Sequence, residues 1–179
     1  MTTTTHTALA RLSAWDLSWC LRLNRYSTHS AIARFFKIIS RLGDGGFWYG
    51  LIVLIALRQG APALPALLQA LLTAGMGLLV YKSLKHRTLR PRPYQVHQAV
   101  VLGERPLDHF SFPSGHTLHA VSFTVVLGFY FPALLPLLVP FTMLVALSRM
   151  VLGLHYPTDV LAGAAIGGGL GGLALWMMG

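Results

Sequence analysis

Three short groups of residues carry side chains that can do chemistry. They are Lys85 with Arg92-Pro93, the run Pro113-Ser114-Gly115-His116, and Ser148-Arg149 with His155 and Asp159. Together they set three cations, two imidazoles and one carboxylate beside long apolar segments. Such groups are costly in hydrocarbon and mark function there. Three cations suit a phosphate. A histidine with an aspartate four residues on suits a nucleophile and the carboxylate that orients it.

Each group also has a plainer reading. Lys85 falls near the end of an apolar span, and Pro91 and Pro93 force extended backbone, because a residue before proline avoids the helical region. Two cations of one short segment can thus face one pocket. Equally, Lys82, Lys85, Arg87, Arg90 and Arg92 can form a basic patch on lipid phosphates. Ser114 is a natural N-cap, and Gly115 allows close backbone approach. Free N–H groups at a helix start bind anions, and His116 in that first turn can donate a proton. The alternative is a capped helix with an interfacial histidine. Arg149 falls in the last turns of an apolar span and His155 in a short turn. Pro157 suits the first position of the next helix, which places Asp159 in its first turn. Asp159 can then reach one nitrogen of His155 and leave the other as nucleophile. Otherwise Asp159 only caps its helix.

The elements that hold these groups are membrane helices. Of 179 residues, 54% are hydrophobic and 11% charged, against an ordinary charged fraction of about 25%. The net charge is +9, but the basic residues flank apolar runs, so anionic lipid or an anionic substrate explains them better than nucleic acid. A single cysteine, Cys20, excludes an intrachain disulfide and a cysteine metal cluster. The opening seven residues lack the regions of a signal peptide, so none is expected. Ile32, Phe35, Phe36 and Ile39 recur at helical spacing opposite Arg34, Lys37 and Arg41. That predicts an amphipathic helix over 31–42, lying on a membrane surface or packed on the domain. Gly43-Asp44-Gly45-Gly46 breaks or loosens it. Phe47–Leu57 is too short for the about 20 residues a crossing needs, so this span borrows from the preceding segment or lies obliquely. Further spans are expected near 61–81, 115–131, 134–152 and 158–178. Gly163, Gly167 and Gly171 have the spacing that lets helices pack closely in lipid. The expected architecture is an all-α polytopic membrane bundle of five to six helices, one domain over 1–179. Within it, 1–44 would be an N-terminal amphipathic, interfacial segment and 45–179 the bundle carrying the site.

Taken together, Lys-x6-Arg-Pro, Pro-Ser-Gly-His and Ser-Arg-x5-His-x3-Asp resemble the three-part signature of the type 2 phosphatidic acid phosphatase and vanadium haloperoxidase superfamily. The order and internal spacings match without a gap, over about residues 80–165. Size and span count resemble small bacterial members that act on undecaprenyl diphosphate or phospholipid phosphates. The resemblance implies that Lys85, Arg92 and Arg149 hold the phosphoryl oxygens, with Ser114 and the Gly115 N–H. It implies that His155 attacks phosphorus to give a phosphohistidine. His116 would protonate the leaving group and then activate water, and Asp159 would orient His155. It implies neither metal nor cofactor, and the sequence shows no clustered ligand set for Zn²⁺ or Mg²⁺. Family members commonly have six spans. Residues 1–44 are too charged for a clean extra one, so five are expected.

The alternatives are a vanadate-dependent haloperoxidase and a non-catalytic transport or structural bundle. The expected partners are a lipid phosphate or diphosphate substrate and membrane lipids, with no nucleic acid. Only 19 residues separate Pro93 from Pro113, which favours a small phosphate or diphosphate head. His97, Glu104, Asp108 and His109 read as solvated loop, with some scope to tune substrate choice. The resemblance places the protein in a bacterial inner membrane with its site on the periplasmic face. If residues 1–44 do not cross, the charge distribution points the other way, since of 14 Lys and Arg only Arg58 then lies on the opposite side.

Overall fold

The computed structural model describes residues 2–178, with side chains for 7–177. It contains eight α-helices: α1 (Thr2–Asn24), α2 (Ser30–Arg41), α3 (Phe47–Gln59), α4 (Leu64–Thr88), the single turn α5 (Pro93–Val96), α6 (Gly115–Tyr130), α7 (Leu135–Val151) and α8 (Pro157–Met178). No strand occurs among the described residues. Four stretches are long and apolar enough to cross a membrane: Ser30–Gln59, Ala61–Thr88, Pro132–Val151 and Pro157–Met177. The chain is an all-helical membrane protein. The span expected at 115–131 is α6, which has 16 residues and so reaches about 24 Å at 1.5 Å per residue. It is the central helix, packed on α4, α7 and α8, with Leu118, Ala120, Val126 and Leu127 wholly buried.

The glycines of α8 explain that packing. A Cβ on Gly163 would stand 2.5 Å from the Ser114 carbonyl oxygen, and one on Gly167 would run into the Leu118 carbonyl. One on Gly171 would meet Val125 at 2.9 Å. Backbone therefore lies on backbone between α6 and α8, the close approach that small residues permit in lipid. The seam ends where the Ser114 amide donates to the Asp159 carbonyl at 3.0 Å. It thus fixes the start of α6 against the start of α8.

The segment before α3 does supply the missing length. A single π turn, Leu42–Gly46, carries α2 into α3 as one 30-residue stretch. Gly45 there has φ +129°, which side-chain-bearing residues rarely adopt. The division expected at 44/45 falls inside this turn. Of the two readings of the amphipathic helix, packing on the domain applies to α2, which lies on α7. Aromatic rings close the core beyond the turn: Trp48 stacks on Phe123 at 5.1 Å, and Phe47 meets Phe141 at 3.9 Å.

α1 is held by three buried side chains at helical spacing, Asp16, Cys20 and Asn24. Asn24 donates to the carbonyls of Val101 and Val151 at 2.8 and 2.9 Å and accepts from the Val101 amide at 2.7 Å. Leu9, Leu12, Trp15 and Trp19 remain exposed on its other face, as suits an interfacial helix.

Candidate active site

One end of the bundle holds a cavity of about 330 Å³. Six of the eight residues singled out above line it: Lys85, Arg92, Gly115, His116, Arg149 and His155. Lys85 enters from the last turn of α4 and Arg92 from the extended strand-like segment after it. Both cations are taken up by Asp108. Lys85 Nζ lies 2.7 and 2.9 Å from its two carboxylate oxygens, and Arg92 Nη2 lies 2.7 Å from one of them. Burial alone would raise the Asp108 carboxyl, but the hydrogen bond from Lys85 and the charges of Lys85 and Arg92 hold it below its ordinary range. Asp108 is therefore part of the pocket, not a solvated loop residue. Glu104 is likewise paired, with Arg41 at 3.0 Å. Arg149 is buried and donates through Nη1 to the Ser40 hydroxyl of α2, while its Nε has no protein partner.

His155 sits in the turn between α7 and α8, 1% exposed, its amide donating to the Arg149 carbonyl at 3.1 Å. Its Nε2 lies 3.3 Å from Arg92 Nη1 and faces the cavity's cations. Its Nδ1 lies 3.6 Å from Asp159 Oδ2, adjacent but beyond hydrogen-bond length, and has no other partner. Burial first, then the charges of Arg92, Arg149 and Lys85, push the imidazole well below its ordinary pKa. A neutral ring keeps the lone pair that a nucleophile needs.

Asp159 has partners the sequence did not disclose. It accepts from the Tyr156 amide at 2.8 Å and from Arg90 Nη1 at 2.7 Å. Arg90 also pairs with Asp16 of α1 at 2.7 Å, and Asp16 accepts from the Thr158 amide at 3.0 Å. The one signal for Arg90 was the Arg90-Pro91-Arg92-Pro93 alternation. In extended backbone residues two apart share a face, so both arginines point inward. Nothing local marked Asp16.

Ser114 begins α6, but its hydroxyl pairs with Thr117 Oγ1 at 3.0 Å rather than with a backbone amide. It is wholly buried and is not among the cavity's lining residues. Gly115 and His116 do face the cavity, and His116 Nε2 stands 3.5 Å from Asp44 Oδ1 on the π turn. Among the described residues, no group of three His, Cys, Asp or Glu is gathered to hold a metal ion.

The sequence profile of the PAP2 superfamily matches residues 66–179. This chain belongs to the PAP2 superfamily. Decaprenylphosphoryl-5-phosphoribose phosphatase of Mycobacterium tuberculosis is 35% identical over 124 residues, 67% of this chain and 68% of the relative. The transmembrane PAP2-type phosphatidylglycerolphosphate phosphatase of Bacillus subtilis superposes with a TM-score of 0.75 at 25% identity, covering 94% of this chain and 86% of that one. Aquifex aeolicus LpxE superposes with a TM-score of 0.73 at 28% identity, covering 83% and 87%. The cavity of this PAP2 protein continues past the cations along an apolar wall that includes Leu71, Ala74 and Leu78 of α4. Tyr49 of α3 lines it too, and Leu71, Leu78 and Tyr49 all keep accessible surface.

Proposed function

We propose that this chain is a lipid phosphatase that hydrolyses a phosphomonoester or diphosphate on a membrane lipid, taking off one phosphoryl group through a phosphohistidine intermediate. The observation that carries the reading is His155, a buried neutral imidazole whose Nε2 faces the cavity lined by Lys85, Arg92, Arg149 and His116. Lys85, Arg92 and Arg149 take the phosphoryl oxygens, with the Gly115 amide at the start of α6. Substrate displaces Asp108 from the two cations. His155 Nε2 forms the bond to phosphorus, the ester bond breaks, and its electron pair leaves on the lipid oxygen. His116 gives that oxygen a proton, then takes one from the water that hydrolyses the phosphohistidine. Asp159, braced by Arg90, stabilises the charge that develops on His155.

The apolar wall between α3 and α4 suits a hydrocarbon chain, and the short Pro93–Pro113 loop suits a compact head. Undecaprenyl diphosphate and phospholipid phosphates both fit these features. The similar proteins are bacterial, which supports a bacterial inner membrane, and we place the site on its periplasmic face. The test is a trapped phosphoenzyme. Labelled lipid phosphate, quenched during turnover, should leave acid-labile, base-stable phosphate on the wild type and none on His155→Ala. Label that persists on His155→Ala would refute the nucleophile.

A further inference from the structure

Asp44 has no part in the steps above, yet the chain goes to some length to bring it to the cavity. The π turn Leu42–Gly46 inserts it between α2 and α3. Its two neighbours must be glycine. A Cβ on Gly43 would come within 2.7 Å of Val145, and Gly45 has φ +129°. The turn thus gives up helix regularity and side-chain packing on both sides of one carboxylate. That carboxylate lines the cavity with His116, Arg149 and His155 and stands 3.5 Å from His116 Nε2.

We infer that Asp44 is a positioning residue for His116: it holds Nε2–H of the imidazolium, so that Nδ1–H is the proton offered to the leaving oxygen. The inference rests on the reading of His116 as the general acid. In the first half-reaction the P–O bond to the lipid breaks, the oxygen takes the proton from Nδ1, and Nε2 keeps its own against Asp44. In the second, Nδ1 recovers a proton from water as the hydroxyl adds to phosphorus. Asp44 stays ionised throughout. A separation of 3.5 Å is longer than a made hydrogen bond, as is common for catalytic contacts before substrate closes the site. Arg149 lines the same cavity, and a bound phosphoryl group would take up its charge and leave the carboxylate to His116.

The test uses the full-length protein in detergent with phenyl phosphate and p-nitrophenyl phosphate, which are alike in shape and differ in how much the leaving oxygen needs a proton. The quantity compared is kcat/KM, which reports the step that breaks the ester. Asp44→Asn should lose about tenfold more on phenyl phosphate than on p-nitrophenyl phosphate. Asp44→Glu should recover part of that difference. His116→Ala should show the same selectivity, larger, and adding Asp44→Asn to it should cost nothing more on phenyl phosphate. Equal losses on both substrates for Asp44→Asn, beside a selective His116→Ala, would overturn the role of Asp44 and leave the acid in place. A change confined to KM would also overturn it, by making Asp44 a substrate contact. An unselective His116→Ala would remove the acid and Asp44's role with it. Should Asp44→Asn lose all turnover, Asp44→Glu carries the comparison: a selective partial loss supports the inference and an equal one refutes it.

Discussion

His155 is a histidine folded into a place where its charged form is unwelcome, and that has a measurable cost in acid. Its pKa is pushed well below the ordinary value by burial and by Arg92, Arg149 and Lys85. Below about pH 6.5 the unfolded chain binds a proton at this position that the folded chain refuses. Stability from this residue is therefore full above that pH and falls as pH drops through the window beneath it. The thermal midpoint in detergent should fall less between pH 7.5 and 5 for His155→Gln than for the wild type. Parallel curves would mean that the ring is not held neutral. Asp159→Asn should keep residual phosphatase activity, reduced on the order of 10²-fold, because it orients and does not react. An unchanged rate would reduce it to a brace for Arg90. At this scale the sequence was informative where residues recur at fixed spacing. Lys85, Arg92, His116, Arg149 and His155 do meet around one cavity. It was uninformative where a partner arrives from elsewhere in the chain. Asp108 looked like loop because its partner Lys85 is 23 residues away, and Asp16 and Arg90 meet across 74.

Among the elements, the α6–α8 seam was the most legible, because small residues at a repeating spacing have few other uses in lipid. It predicts a graded response along one helix. Gly167→Ala drives a Cβ into the Leu118 carbonyl, whereas Gly169→Ala meets nothing within 4 Å. The first should destabilise by about 1–3 kcal/mol, as overpacked contacts do, and the second should stay near wild type when unfolding is followed in detergent. Comparable losses would mean the seam is looser than the structure has it. Because the seam joins Ser114 to Asp159, the Gly167 variant should also lose activity ahead of fold. The α2–α3 junction was half legible. Glycines announced the break, and Gly45 does leave helical geometry there, but the Val145 packed on Gly43 and the His116 facing Asp44 are not local in sequence.

Across the whole molecule, α1 is joined to the site through Asp16, Arg90 and Thr158. Asp16→Ala should therefore lower stability and turnover together, by about 1–3 kcal/mol for the stability term. Measuring phosphate release alongside thermal unfolding would check this, and full activity in a destabilised variant would show that α1 is only a clamp. The charge of residues 1–44 had suggested an interfacial segment set apart from the bundle. Of those charges only Asp16 is buried, and it is tolerated because Arg90 pairs with it; the others keep to the surface or its margin. The apolar wall that α3 and α4 bring to the cavity has a consequence of another kind. A lipid whose hydrocarbon lies along that wall is delivered from the bilayer, so the enzyme meets it as a two-dimensional solute. In mixed micelles the rate should follow the mole fraction of lipid phosphate at the surface. Diluting substrate with detergent at constant bulk concentration should then slow the enzyme as surely as removing substrate.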